Sequence, residues 1–178
     1  MELSQRITRL SEGDTDAWDV FLRARKMADE GQPVLELTIG EHDIGTAAPI
    51  LQEMHASALG GHTGYAAVPG TDSLRDTVAK RTQERTGVPT TRANVMITPG
   101  GQSALFSAHT AALDPGDLGL FIDPYYATYP GTIRGVGARA QTVQTRAEDA
   151  FQPQAAALEA AAPDARSLLI NSPNNPTG

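Results

Sequence analysis

Three stretches of this chain carry residue types that can hold a flat, anionic, hydrogen-bonding molecule. Thr98-Pro-Gly-Gly-Gln-Ser103 joins an apolar run to a helical pattern. Glycine lets a ligand approach the backbone, and the amides that open a helix attract anions. On the residues alone, Gly101, Gln102 and the amides around them form either a phosphate cradle or an ordinary strand-to-helix turn. Asp123-Pro-Tyr-Tyr-Ala-Thr-Tyr-Pro130 follows a second apolar run. Its rings either stack on a flat heteroaromatic ligand or pack beneath the helix that follows. Asn171-Ser-Pro-Asn-Asn-Pro-Thr-Gly178 follows a third run, Leu168-Leu-Ile170. A buried strand that runs out into a Pro/Asn/Gly turn sets polar side chains at the carboxyl edge of a sheet, where open α/β sheets bind their ligands. A sheet does not normally finish on such a loop, so the sequence reads as the front part of a larger enzyme.

The elements that must position these loops follow from hydrophobic periodicity and breakers. Helices are expected over residues 14–30, 46–59, 72–86, 102–113, 129–136 and 153–162, and strands over 34–39, 95–98, 118–122, 140–143 and 167–170. In the first helix Trp18, Phe21, Leu22, Ala24 and Met27 recur near helical spacing, and Gly31 ends it. From residue 71 onward strands and helices alternate, and three of the strands are continuously apolar, as strands buried on both faces are. The fold class is therefore α/β, a mostly parallel sheet sandwiched by helices and incomplete at the carboxyl end.

Composition narrows the function. A net charge of −7 argues against a nucleic-acid surface. No apolar run approaches the ~20 residues that span a bilayer, and no basic-then-apolar leader opens the chain. There is no cysteine, hence no disulfide framework and no thiolate chemistry. The expectation is a cytoplasmic enzyme with no membrane or nucleic-acid partner. His42, His55, His62 and His109 lack close metal-binding spacing, so no metal is expected. Gly135-Val-Gly-Ala-Arg-Ala140 imitates a dinucleotide fingerprint but precedes a strand instead of following one.

NSPNNPTG resembles the Asn-Pro-Thr/Ser-Gly signature of the class I/II aminotransferases, fold-type I enzymes that use pyridoxal 5'-phosphate. Four further segments are similar in order and spacing: IGEHD, GYAAVPGTDSLR, VMITPGGQSALF and DPYYATYP. The resemblance runs from about residue 14 onward. It implies an amino-group exchange between an amino acid and a 2-oxo acid in a homodimer. Gly101 and Gln102 would then hold the cofactor's phosphate. Tyr126 would stack on its ring, while Tyr125 and Tyr129 pack under the next helix. Asn175 would donate to the ring hydroxyl oxygen, with Asn174 shaping the turn. Tyr65 would reach the phosphate in the neighbouring subunit, and Gly40 would approach the substrate carboxylate; Arg75 reads as structural. His42 and Ile44 stand where the family usually has Pro and Phe, which leaves the substrate open.

By the same resemblance, residues 1–45 would be an arm with the helix and strand of a small domain, and residues 46–178 the first part of the large cofactor-binding domain. A transaminase also needs a lysine that binds the cofactor, a carboxylate on the ring nitrogen and an arginine fork. In the family these lie past the Asn-Pro-Thr-Gly turn. Lys26 and Lys80, the only lysines here, sit mid-helix in non-matching contexts. No residue for the chemical step is expected before Gly178, and the chain alone is expected to be inactive. A β-lyase on the same scaffold, or a non-catalytic aminotransferase-like regulatory module, are the alternatives.

Overall fold

Residues 2–10, 17–37, 39–40 and 43–178 are described by the computed structural model. The helices are α1 (Gln5–Thr8), α2 (Ala17–Asp29), α3 (Ala48–Leu59), α4 (Asp72–Thr86), α5 (Gly101–Ala112), α6 (Tyr129–Gly135) and α7 (Ala155–Ala161). The strands are β1 (Leu118–Asp123), β2 (Arg139–Gln144) and β3 (Ser167–Leu169). By internal contacts the chain forms two units, Met1–Ala17 with Pro99–Gly178, and Trp18–Thr98.

The first unit is built on a parallel sheet in the order β2–β1–β3. Phe121 points to one face, where Leu113, Tyr129, Ile133, Val136, Ala138 and Leu169 gather between the sheet and α5 and α6. Leu118, Leu120 and Val143 point to the other, under Ala157, Leu158 and Ala161 of α7. That is why β1 carries no polar side chain from Leu118 to Ile122: it is the central strand and is covered on both sides. Gly119 sits where packing is tight: a Cβ there would lie 3.1 Å from both Ile133 Cγ2 and Ser167 Oγ, so those side chains would have to give way by a few tenths of an ångström. The chain steps from β1 through α6 to β2, then returns through α7 past β1 to β3. The strand order thus reverses at β1, and the crevice beyond the carboxyl ends of such strands is where doubly wound sheets take ligands.

In the second unit the half-buried stripe of α2 is Phe21, Ala24 and Met27; Leu22 points away, 61% exposed. The Arg75 guanidinium of α4 donates to the carbonyls of Val95 (2.9 Å) and Arg92 (2.6 Å), and Arg92 pairs with Asp76 at 3.0 Å. Gly70 adopts φ +103°, and a Cβ there would sit 2.7 Å from Ile97 Cγ1, so only glycine fits.

Two expected strands are absent. The described residues of 34–39 and all of 95–98 lie outside regular structure. A strand exists only as half of a hydrogen-bonded ladder; among the described residues neither segment forms one, although 95–98 makes a backbone bond to a neighbouring segment, Ile97 N to Pro69 O at 2.9 Å. Leu35 and Leu37 accordingly stand 93% exposed. The expected helix from residue 14 is described only from Ala17. Other ends moved by up to about two residues, the usual uncertainty of helix and strand termini. No described helix is long and apolar enough to cross a membrane.

Candidate functional site

The opening of α5 is the chemically distinctive point of the sheet unit. Gly100 precedes it with φ 88° and ψ 164°, and no side chain caps it. The first helical bond runs from Ala104 N to Gly100 O at 3.3 Å. The amides of Gly101, Gln102 and Ser103 therefore precede the intrahelical ladder and point outward with the positive end of the helix dipole. A Cβ at Gly100 or Gly101 would meet nothing within 4 Å, so the approach is open. Ser103 Oγ donates to Pro99 O at 3.1 Å, turning its hydroxyl back into the loop.

The Gln102 side chain anchors this helix start to the next element. Its Nε2 donates to Thr132 Oγ1, its Oε1 accepts from Thr128 Oγ1 at 2.8 Å, and Thr132 Oγ1 donates to Thr128 O at 2.8 Å. Gln102 is thus available to a ligand through its backbone amide, while its side chain is committed to α6. Thr132 is 4% exposed. Neither threonine stood out in the sequence. The signal was there, however: hydroxyls four residues apart at a helix start share one face.

The loop after β1 holds the tyrosines in distinct environments. Tyr125 packs edge-on against Phe121, with centroids 4.7 Å apart. Tyr129 is 7% exposed in the core; burial, and then neighbouring Tyr126, raise its phenol above the usual 10.0, so it stays neutral. Tyr126 is the exposed one, at 40%, leaning on Tyr129 with ring centroids 5.9 Å apart. Its ring is the one that a ligand at the sheet edge can meet.

Asn174 joins that loop to the one after β3. Its Nδ2 donates to Pro124 O (3.0 Å) and to Thr177 Oγ1 (2.8 Å), and its own carbonyl accepts from Gly178 N (2.7 Å). It is the shaper of the turn. Asn175, next to it, is exposed. One chain of contacts, Gln102 to Thr128 and Pro124 to Asn174, brings the start of α5, the Tyr126 loop and the Asn175 loop to one edge of the sheet.

Gly40 and Tyr65 belong to the other unit. Gly40 is exposed, with open space where a Cβ would stand, and Tyr65 is exposed in full. His42 lies outside the described residues. Arg75 is structural, its side chain 12% exposed.

This arrangement suits a molecule with a phosphate at one end and an aromatic ring carrying an oxygen at the other. The sequence profile of "Aminotransferase class I and II" matches residues 32–178. The chain belongs to that family. Class I and II aminotransferases depend on pyridoxal phosphate, a cofactor of that description. An arginine–pyruvate transaminase of Pseudomonas aeruginosa is 35% identical over 100% of this chain and 46% of its own length. An aspartate/prephenate aminotransferase of Thermus thermophilus is 33% identical over 99% and 46%. Among solved structures, the aspartate aminotransferase of Rhizobium meliloti superposes with a TM-score of 0.90 at 30% identity, covering 99% of this chain and 44% of that one. That of Thermus thermophilus with maleate gives 0.87 at 30% identity, covering 99% and 46%. The chain thus spans a little under half the length of the relatives it matches.

Proposed function

We propose that the intact protein is a pyridoxal-phosphate-dependent transaminase that exchanges an amino group between an amino acid and a 2-oxo acid. The observation that carries this is the clamp from Gln102 through the Tyr126 loop to Asn174, which gathers a helix N-terminus, an exposed aromatic ring and an exposed amide. When bound, the cofactor supplies an electron sink that lets bonds at the substrate α-carbon break.

The chain's own residues do the holding. The amides of Gly101 and Gln102 receive the phosphate. Tyr126 lies against one face of the ring and excludes water from it. Asn175 donates from its amide to the ring hydroxyl oxygen, keeping that oxygen unprotonated. Gly40 lets the substrate carboxylate approach the backbone. Tyr65 reaches the phosphate of the other subunit in a homodimer; its complete exposure here supports that role. The groups for proton transfer and for the substrate carboxylate lie, on this reading, outside residues 1–178. Cytoplasmic location and the division into an arm with small-domain elements (1–45) and the start of a large domain (46–178) belong to the same proposal; limited proteolysis of the intact protein tests the division.

The deciding experiment incubates the intact protein with pyridoxal phosphate, a panel of amino acids and pyruvate. The reading expects a new amino acid and a new 2-oxo acid in equal amounts. Release of ammonia with pyruvate from a substrate bearing a β leaving group, without amino transfer, would establish the lyase chemistry instead.

A further inference from the structure

A second place on the sheet unit has the chemistry of a binding site, away from the carboxyl edge. Four of the chain's 14 basic residues line one cavity of about 680 Å³. Arg6 comes from α1, Arg9 follows that helix, Arg134 lies on α6 and Arg139 opens β2. None of the described residues that line it is Asp or Glu. In a chain of net charge −7, this is a local reversal of sign.

The arginines are positioned by the fold. Arg134 Nη1 donates to Leu10 O at 3.1 Å, which ties the end of the N-terminal segment to α6. Arg139 Nε donates to Gly116 O at 3.1 Å, and its Nη2 faces Asp164 at 3.6 Å, a pair exposed on both sides. Gly137, at φ +90°, lies beside the Arg6 stem: a Cβ there would be in ordinary contact with Arg6 Cδ, at 3.6 Å. The cavity is of ligand size, since small-molecule sites run to roughly 300–1,000 Å³. Guanidinium forks match carboxylate and phosphate oxygens in pairs, and clefts lined by one sign of charge concentrate the counter-ion.

We propose that this cavity binds a small polyanion carrying two or more phosphate or carboxylate groups. The inference does not rest on the cofactor reading. Occupation would fasten the N-terminal segment to α6 and β2, because Arg6 and Arg9 sit on the segment while Arg134 and Arg139 sit on the sheet layer.

The test uses the intact protein at saturating pyridoxal phosphate, so that an anion site at α5 is already filled. Titration calorimetry with pyrophosphate and with citrate, against sodium chloride at equal ionic strength, separates phosphate chemistry, carboxylate chemistry and simple screening. Saturable binding of either probe is expected. Arg6→Gln and Arg139→Gln should each weaken it about ten- to hundred-fold, the effect of losing one charge-assisted contact. Arg81→Gln, on exposed α4 of the other unit, should leave it unchanged. Both cavity variants should melt at the wild-type temperature without the probe and lose the thermal shift it confers. Heat no larger than that from chloride, or affinity that survives both cavity substitutions, overturns the proposal.

Discussion

The sheet unit and the unit of residues 18–98 treat their apolar patterns in opposite ways. In the first, the central strand finds cover on both faces: Leu118, Leu120 and Phe121 are at most 4% exposed, and Ile133 is fully buried on the face of Phe121, while the edge strand β3 leaves Leu168 at 40%. In the second, the alternating Val34–Ile39 run leaves Leu35 and Leu37 at 93%, and Tyr65 is wholly exposed. A periodic pattern states what a segment would bury. Whether it does so depends on whether the same stretch of chain contains the partner. The sheet unit contains both layers of its sandwich. The other unit contains helices and turns tied by Arg75, with apolar positions left over.

The largest expected effect breaks the first half of that contrast. Ile133→Ala removes a fully buried side chain from between α6 and β1 and should cost ~2–5 kcal/mol, read as a lower urea midpoint. Leu37→Ala, the matching deletion at an exposed site, should stay within about 0.5 kcal/mol. Equal losses would mean that the 34–39 run is covered in solution and the contrast is false.

Next in size is Gly70→Ala, the point where the second unit is as tightly specified as the first. The new Cβ meets Ile97 at 2.7 Å and φ is +103°, so a cost of roughly 2–3 kcal/mol is expected from overpacking and backbone strain together. Adding Ile97→Ala should recover only the part owed to Cγ1, since Ile97 Cβ stays 2.8 Å from the new Cβ; Ile97→Gly should recover the whole steric part and leave the backbone strain, which double-mutant cycles in urea measure.

Much of this was legible in sequence, for a physical reason. A strand buried on both faces announces itself as an apolar run, so β1 was expected within about one residue; β2, mostly exposed or half-buried, and β3 were expected as closely from the alternation of strands with helices. The loops after β1 and β3 followed directly, and Tyr126 and Asn175 lie exposed on them; Gly101 instead opens α5 with no strand before it among the described residues. The second set of strands misled because alternation at 34–39 and the apolar residues of 95–98 give the periodicity of a strand without its partner. The anchoring of Gln102 by Thr128 and Thr132 was hidden because it joins residues 26 and 30 apart. Such contacts exist only once α5 and α6 share a face of the sheet. The arginine cavity was hidden likewise, Arg6 and Arg9 lying near the start of the chain and Arg134 and Arg139 far along it.

A smaller effect separates neighbours at the sheet edge. Asn174→Ala removes the donor that joins the two loops and should cost about 0.5–1.5 kcal/mol of stability while also weakening the cofactor. Asn175→Ala should leave stability unchanged and raise the pH midpoint of the bound cofactor's visible absorption, because the ring oxygen loses a donor and becomes more basic. Tyr126→Ala should loosen the cofactor by roughly 0.5–1.5 kcal/mol beyond lost burial. If both asparagines change only the melting temperature, the turn is merely structural.

The smallest expected effect concerns His109, 6% exposed on α5 with Nε2 lacking a partner among the described residues. Burial lowers its pKa below 6.5. The unfolded chain therefore takes up the proton more readily than the folded one. The contribution of neutral His109 is fully present above pH 6.5, and stability falls as pH drops below that value until the folded imidazole protonates too. His109→Phe should flatten this part of the stability profile between neutral and mildly acidic pH. An unchanged slope would assign it to other groups.

The central claim, that amides at the start of α5 hold the cofactor phosphate, is tested most directly at Gly101. A side chain there meets nothing within 4 Å, and proline is tolerated at the first helical position, where it removes one amide. Equilibrium affinity for pyridoxal phosphate should be measured for Gly101→Ala and Gly101→Pro in the intact protein. The alanine variant keeps the N–H and should bind within a few-fold of wild type. The proline variant should bind about ten- to hundred-fold more weakly, with an unaltered melting temperature for the cofactor-free protein. Equal affinity in the two variants would contradict the account and move the phosphate away from this helix.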